Sequence, residues 1–127
     1  MSIVLPTYAL TVHQPYATAL VRGLKPVENR SWRPWLAIPF QLAIHASRKV
    51  VDPSSIPPDL IDDLLGLGDW SDLPRGALVG TVQVVSCRQP LTGERWAMGP
   101  LCWVCQDPVE FDQSILDKGK QKIWRIR

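Results

Sequence analysis

The chain is poor in the residues from which many active sites are built. Its 127 residues include two histidines, His13 and His45, and three cysteines, Cys87, Cys102 and Cys105. A four-ligand zinc site would have to draw on nearly all of them or recruit carboxylates. An odd cysteine count without a secretion signal favours reduced thiols in a cytoplasm. Cys102-Trp-Val-Cys105 has the spacing of a redox or zinc motif. It lies, however, in a β-like run, Leu-Cys-Trp-Val-Cys, whereas a redox pair would open a helix. Buried strand thiols are expected. The chain has no P-loop, no Gly-x-Gly-x-x-Gly, no His-Glu-x-x-His and no Ser-His-Asp order, and no metal or cofactor is expected. No run of about 18 apolar residues predicts a membrane span. The start, Met-Ser-Ile-Val-Leu-Pro-Thr, lacks the basic and apolar regions of a signal peptide. Internal repeats and low-complexity tails are missing too.

What is present suits a folded chain. Hydrophobic residues make up 46% and charged residues 20%, ordinary values for a protein able to bury a core. The length argues for a single domain over residues 1–127. Net charge is +2, but it is unevenly spread. Six of the twelve acids (Asp52, Asp59, Asp62, Asp63, Asp69 and Asp72) fall within residues 50–74, which hold no Lys or Arg. The fourteen basic residues therefore face only six acids over the rest of the chain. A basic remainder suits a polyanionic partner, and the acidic stretch could instead dock a protein.

Tyr8–His13 reads as a strand, and Gln14-Pro15 opens a helix that Gly23 stops. Pro26 turns the chain into a strand over Val27–Trp32. Phe40–Ala46 is a further strand. Residues 52–75, rich in Pro and Asp, read as an insertion with one helix, Pro58–Leu65. Ala77–Cys87 is long and β-branched, with Gly80 at a bulge. Residues 89–100 read as a loop, and Leu101–Cys105 and Lys122–Ile126 as the last strands. The expected class is α+β, mainly β: a small, partly open barrel with an N-terminal helix and a helical insertion.

Six segments carry a wider resemblance: Leu10-Thr-Val-His-Gln-Pro-Tyr-Ala17, Gly23-Leu-Lys-Pro-Val-Glu-Asn-Arg-Ser-Trp32, Leu42-Ala-Ile-His-Ala-Ser47, Arg75-Gly-Ala-Leu-Val-Gly80, Gly99-Pro-Leu-Cys-Trp-Val104 and Lys118-Gly-Lys-Gln-Lys-Ile-Trp124. In this order, from about residue 8 to 126, they resemble the ASCH domain family, which is similar in fold to PUA domains. The resemblance implies a β-barrel with a cleft beside the first helix, lined by Lys25, Glu28 and Arg30, and a role around RNA or nucleotides. The family includes RNA-binding modules attached to coactivators, members credited with ribonuclease activity, and bacterial amidohydrolases that deacylate N4-acetylcytidine. Those amidohydrolases have a catalytic lysine where Lys25 stands, followed three residues later by a threonine. This chain has Glu28 there instead. A threonine hydroxyl can be a nucleophile, while a carboxylate beside the lysine holds it charged.

On a regular Val27–Trp32 strand, Glu28, Arg30 and Trp32 share a face, and Lys25 joins them only if the Gly23–Pro26 corner turns it inward. Arg30 suits bidentate contact with a phosphate or a base edge. Tyr16 and Trp32 offer flat faces for base stacking, or for packing. His45 is a structural histidine or a cleft wall, and Ser47 and Arg48 could add phosphate contacts. His13 could be rim or core, and Trp103 and Trp124 read as core or barrel-edge residues. Lys118, Lys120 and Lys122 form a solvated loop or a backbone-tracking patch. Binding of RNA or a nucleotide in this cleft leads; hydrolysis of such a ligand, with Lys25 catalytic, and protein docking through residues 50–74 are the alternatives.

Overall fold

The computed structural model describes residues 4–127. Met1 to Ile3, the start of the stretch read above as no signal peptide, lie outside the described residues. Among the described residues, six strands and two α-helices follow one another as β1 (Tyr8–Gln14), α1 (Tyr16–Val21), β2 (Val27–Arg30), β3 (Phe40–Val50), α2 (Pro58–Leu65), β4 (Ala77–Arg88), β5 (Leu101–Leu116) and β6 (Ile123–Arg125).

Among the described residues the strands form one sheet in the order β2-β5-β4-β3-β1-β6. β1 runs parallel to β3, and every other pair is antiparallel. The parallel pair requires a crossover, supplied by α1, β2 and the 31–39 loop. The sheet curls around α1, which packs on β1, β3, β4 and β5. Its ladder does not close, because β2 and β6 remain its two ends. The expected barrel is thus an open, mainly β sheet in its hydrogen bonding.

Three strands depart by two residues or more from the bounds expected from sequence, and the other three by a single residue at one or both ends. β2 ends at Arg30, opposite Leu101, the first residue of β5. Beyond it the Trp32 carbonyl accepts from the Trp103 indole N–H at 3.2 Å rather than joining a ladder. β3 continues past Ala46, because Val50 pairs with Gln14 after a register shift in β1. β5 runs on through Pro108, which has no N–H to give. The ladder shifts register between Thr81 and Gln83, with Asp107 at φ 50°, so the proline falls in the unpaired step.

Gly80 is required by close approach. A Cβ there would collide with the Val109 carbonyl and lie 2.7 Å from Val21 of α1. The main core joins Leu10, Leu20, Leu42, Ile44, Val82 and Trp103. A second cluster joins Ala19, Val27 and Cys102 to Ile56, Leu60, Leu64, Trp70 and Leu73 of the insertion and to Trp96. Residues 52–75 are therefore built into the core. No helix among the described residues is long and apolar enough to cross a membrane.

Candidate functional site

The first turn of α1 and the entry to β2 are set by two local devices. Gln14 is fully buried. Its Oε1 accepts the Thr18 N–H at 3.0 Å, and its Nε2 donates to Thr18 Oγ1 at 2.9 Å and to the Pro74 carbonyl at 2.8 Å. This side chain ties β1, α1 and the end of the insertion together. Gly23, at φ 77°, then stops the helix, and the Lys25 N–H returns to the Ala19 carbonyl at 3.0 Å. The corner turns Lys25 inward, against the alternation it would follow in a continuous strand.

Lys25, Glu28 and Arg30 consequently meet. Lys25 Nζ donates to Glu28 Oε1 at 2.9 Å and to the Val27 carbonyl at 2.6 Å. Arg30 donates to Glu28 Oε2 from Nε at 3.0 Å and from Nη2 at 2.8 Å, and Nη2 also reaches the Thr11 carbonyl at 3.0 Å. Lys25 is 4% exposed and Glu28 7%. Burial alone would push the Glu28 carboxyl up, yet the Lys25 ammonium and the Arg30 guanidinium hold it below its ordinary value. One buried carboxylate thus anchors two cations, and the trio carries one net positive charge. Among the described residues, Arg30 Nη1 makes no hydrogen bond to the protein.

The trio lies at a cleft of about 690 Å³, within the range of small-ligand sites. Tyr16, Trp32 and Trp96 contribute rings to its lining. The Tyr16 ring centroid is 5.4 Å from Lys25 Nζ, and that of Trp32 is 5.9 Å from Lys122 Nζ. Burial, with the Glu28 charge, pushes the Tyr16 phenol up, so it stays a neutral donor. His13 sits at the rim, its Nδ1 2.6 Å from Ser47 Oγ. Partial burial and the charges of Lys49 and Arg30 push its imidazole below 6.5, with Glu28 opposing.

Of the residues singled out from sequence, Tyr16, Lys25, Glu28, Arg30 and Trp32 line this cleft. His45, Ser47 and Arg48 do not. His45 is buried against Trp124; its Nδ1 lies 3.2 Å from Thr11 Oγ1 and its Nε2 2.6 Å from the Asp117 carbonyl. A Cβ on Gly119 would strike its ring. The ring therefore fastens the 117–120 turn to β1 and β3. Ser47 reaches the cleft only through His13, and Arg48 is exposed beside Gly76. Trp103 and Trp124 are buried.

Thr11, Asn29, Trp96 and Met98 line the cleft without having been singled out. Trp96 is the least expected. It sits at φ 72° in the 89–100 loop, a left-handed conformation that costs a non-glycine residue about 1–2 kcal/mol. It is nevertheless 5% exposed. A tryptophan between Gly93 and Gly99 in a polar loop was the available signal.

Among the described residues no cluster of His, Cys, Asp or Glu could hold a metal. Cys102 belongs to the second core cluster, and Cys105 packs on the main core. Burial, with the Glu28 charge, pushes the Cys105 thiol up to about 12.

The chain is similar to Activating signal cointegrator 1 of Homo sapiens, 32% identical over 94% of this chain and 22% of that protein. The Mus musculus protein of the same name is 30% identical with the same coverage. The chain thus spans about a fifth of the length of these relatives. Among solved structures, ASCH from Zymomonas mobilis superposes with a TM-score of 0.60 at 15% identity, covering 94% of this chain and 87% of that one. Its S128A mutant gives 0.60 at 15% identity over 97% and 92%. At such identity these structures speak to the fold alone. The sequence pattern of the ASCH domain matches residues 10–115. This chain belongs to the ASCH domain family.

Proposed function

We propose that the chain binds RNA or a nucleotide in the cleft over Lys25, Glu28 and Arg30. The observation that carries this reading is Arg30. Its guanidinium is fixed on two sides by Glu28 and Thr11, lines the cleft, and keeps Nη1 for a ligand. A preset, half-buried guanidinium suits a phosphate oxygen or a base edge. Tyr16, Trp32 and Trp96 add rings that can stack on a base. The relatives' name describes a cointegrator, which points to association more than to turnover. The unpaired thiols suit a reducing compartment such as the cytoplasm.

Fluorescence anisotropy with labelled single-stranded RNA, and calorimetry with nucleoside monophosphates, test the reading. Arg30→Ala should weaken binding about 10- to 100-fold, as expected for a charge-assisted contact. Equal affinity in a folded Arg30→Ala protein removes Arg30 from the site.

A second reading, hydrolysis of a modified nucleoside, has support in the burial of Lys25 at the cleft. The hydroxyl of Thr11, whose carbonyl accepts from Arg30, is engaged by the Lys120 carbonyl at 2.6 Å and by the Trp124 N–H at 3.1 Å. Binding is therefore preferred. Turnover of N4-acetylcytidine by the parent, abolished in Lys25→Met with the fold intact, would reverse that order. Protein docking through residues 50–74 has less support. Asp52 and Asp69 cap short turns, and Asp63 pairs with Arg95 at 2.6 Å.

A further inference from the structure

We propose that Asn29 is a positioning residue, and that the loop it holds, residues 95–99, sets which base the cleft accepts. The inference rests on the reading of the cleft as a nucleotide site and names its discriminating wall.

Asn29 follows Glu28 on β2, so the two side chains leave the strand on opposite faces. Asn29 Oδ1 accepts the Met98 N–H at 2.9 Å and the Gly99 N–H at 3.1 Å. Its Nδ2 donates to the Trp96 carbonyl at 2.9 Å. Three backbone groups of one short loop therefore end on one amide. The fit is specific, because aspartate lacks the donor and alanine lacks both functions.

The same loop is clamped elsewhere. Arg95 donates to the Asp59 carbonyl at 2.7 Å and pairs with Asp63 on α2. Arg88 grips Glu94 through two hydrogen bonds of 2.8 and 2.7 Å. These ties hold Trp96 in its left-handed backbone conformation, with its indole buried and Met98 at the mouth, 53% exposed.

The consequence is a division of labour within the cleft. Lys25, Glu28 and Arg30 offer charge, which every nucleotide can use alike. Contacts to phosphate position a nucleotide, and contacts to the base discriminate. The wall formed by Leu60, Pro57, Trp96 and Met98 is apolar. Such a wall separates ligands by size and by flat contact rather than by a hydrogen-bond code. Because Asn29 fixes the backbone of Trp96 and Met98, it governs the width available to the base.

The experiment compares the parent with Asn29→Ala, Asn29→Asp, Met98→Ala and Arg30→Ala. Calorimetry measures adenosine and uridine 5′-monophosphate, and hydrogen exchange follows the amides of Met98 and Gly99. Asn29→Ala and Met98→Ala should change the affinity ratio of the two nucleotides roughly fivefold or more. Arg30→Ala should weaken both alike. Met98 and Gly99 should be protected in the parent, exposed to exchange in Asn29→Ala, and protected again in Asn29→Asp, which keeps the acceptor. An unchanged ratio in both Asn29→Ala and Met98→Ala overturns the discriminating role. Fast exchange of Met98 and Gly99 in the parent overturns the positioning role. Failure of the parent to bind either nucleotide overturns the nucleotide reading, and with it the discriminating role. The positioning role is then decided by the exchange data alone.

Discussion

At the scale of single residues, Glu28 organises the site. It is the shared ionic partner of Lys25 and Arg30, and without it only the Val27 and Thr11 carbonyls would remain to hold them. Removing one member of a buried ionic cluster leaves an uncompensated charge, at a cost of about 3–5 kcal/mol. Glu28→Ala should lose that much in denaturant unfolding, and ligand binding should fall with it. The pH dependence has a definite sign. A carboxyl held below its ordinary value of 4.5 contributes stability above that value and loses it as pH falls through the folded value. The hydrogen bonds from Arg88 hold Glu94 at about 2, so it acts in the same direction. Melting temperatures measured below pH 5 should therefore fall more gently in Glu28→Gln than in the parent, from a lower plateau. An equally steep fall would mean that Glu28 is not the group titrating. Cys105 supplies a second check. Its thiol, raised to about 12, should resist iodoacetamide at pH 8 in the folded protein and react once the chain is unfolded, as peptide mass spectrometry would show. The Lys25, Glu28 and Arg30 cluster was legible because charge, spacing and a Gly-Pro corner lie within one short segment. Thr11, Asn29 and Trp96 were not, because their roles depend on contacts between residues far apart in the chain. His45 shows the converse. Its strand position was legible, but the turn at Asp117 and Gly119 that occupies both ring nitrogens' side of the fold was not.

At the scale of elements, hydrophobic pattern and turn residues placed all six strands and both α-helices, and the bounds of α2 matched. What they could not give was length where the ladder tolerates irregularity. Gln106-Asp107-Pro108 reads as an end to a strand, yet a register shift carries β5 across it. The insertion and its helix were legible, but its packing was not. Its prolines and aspartates mark an insertion, and its apolar residues, spaced through two short turns and α2, face a common cluster with β2 and β5. Leu64 is fully buried there, and the Trp70 indole N–H donates to its carbonyl at 2.8 Å. Leu64→Ala should lower unfolding stability by about 2–5 kcal/mol. Because Leu60 on the same helix lines the cleft, the variant should also weaken nucleotide binding. A loss below about 0.5 kcal/mol, the range of surface substitutions, would show that the insertion packs loosely and can be treated as separate.

At the scale of the whole molecule, charge is segregated along the sheet. Residues 29–51 and 118–127 together hold nine Lys and Arg and no acid. The sheet order brings these segments to one region, since β3 and β6 are the two neighbours of β1. Lys122 lines the cleft, while Lys118 and Lys120 lie exposed just before it in the chain. The cleft has room for about one nucleotide by volume, so the basic flank matters only if the ligand continues beyond it. This separates a free nucleotide from an RNA chain. For a single strand, the logarithm of affinity falls with the logarithm of salt concentration by about 0.7 per phosphate neutralised. If a short RNA lies along β1 and the 118–122 turn, three or four phosphates should be engaged, for a slope of roughly −2 to −3. Replacing Lys118 and Lys120 together by glutamine should reduce that slope by about 1.4 and leave the affinity for a nucleoside monophosphate unchanged. Anisotropy titrations between low and physiological salt would measure both. A slope near zero in the parent, or one untouched by the double substitution, would confine the ligand to the cleft and make a single nucleotide, not a strand, the partner this charge distribution serves.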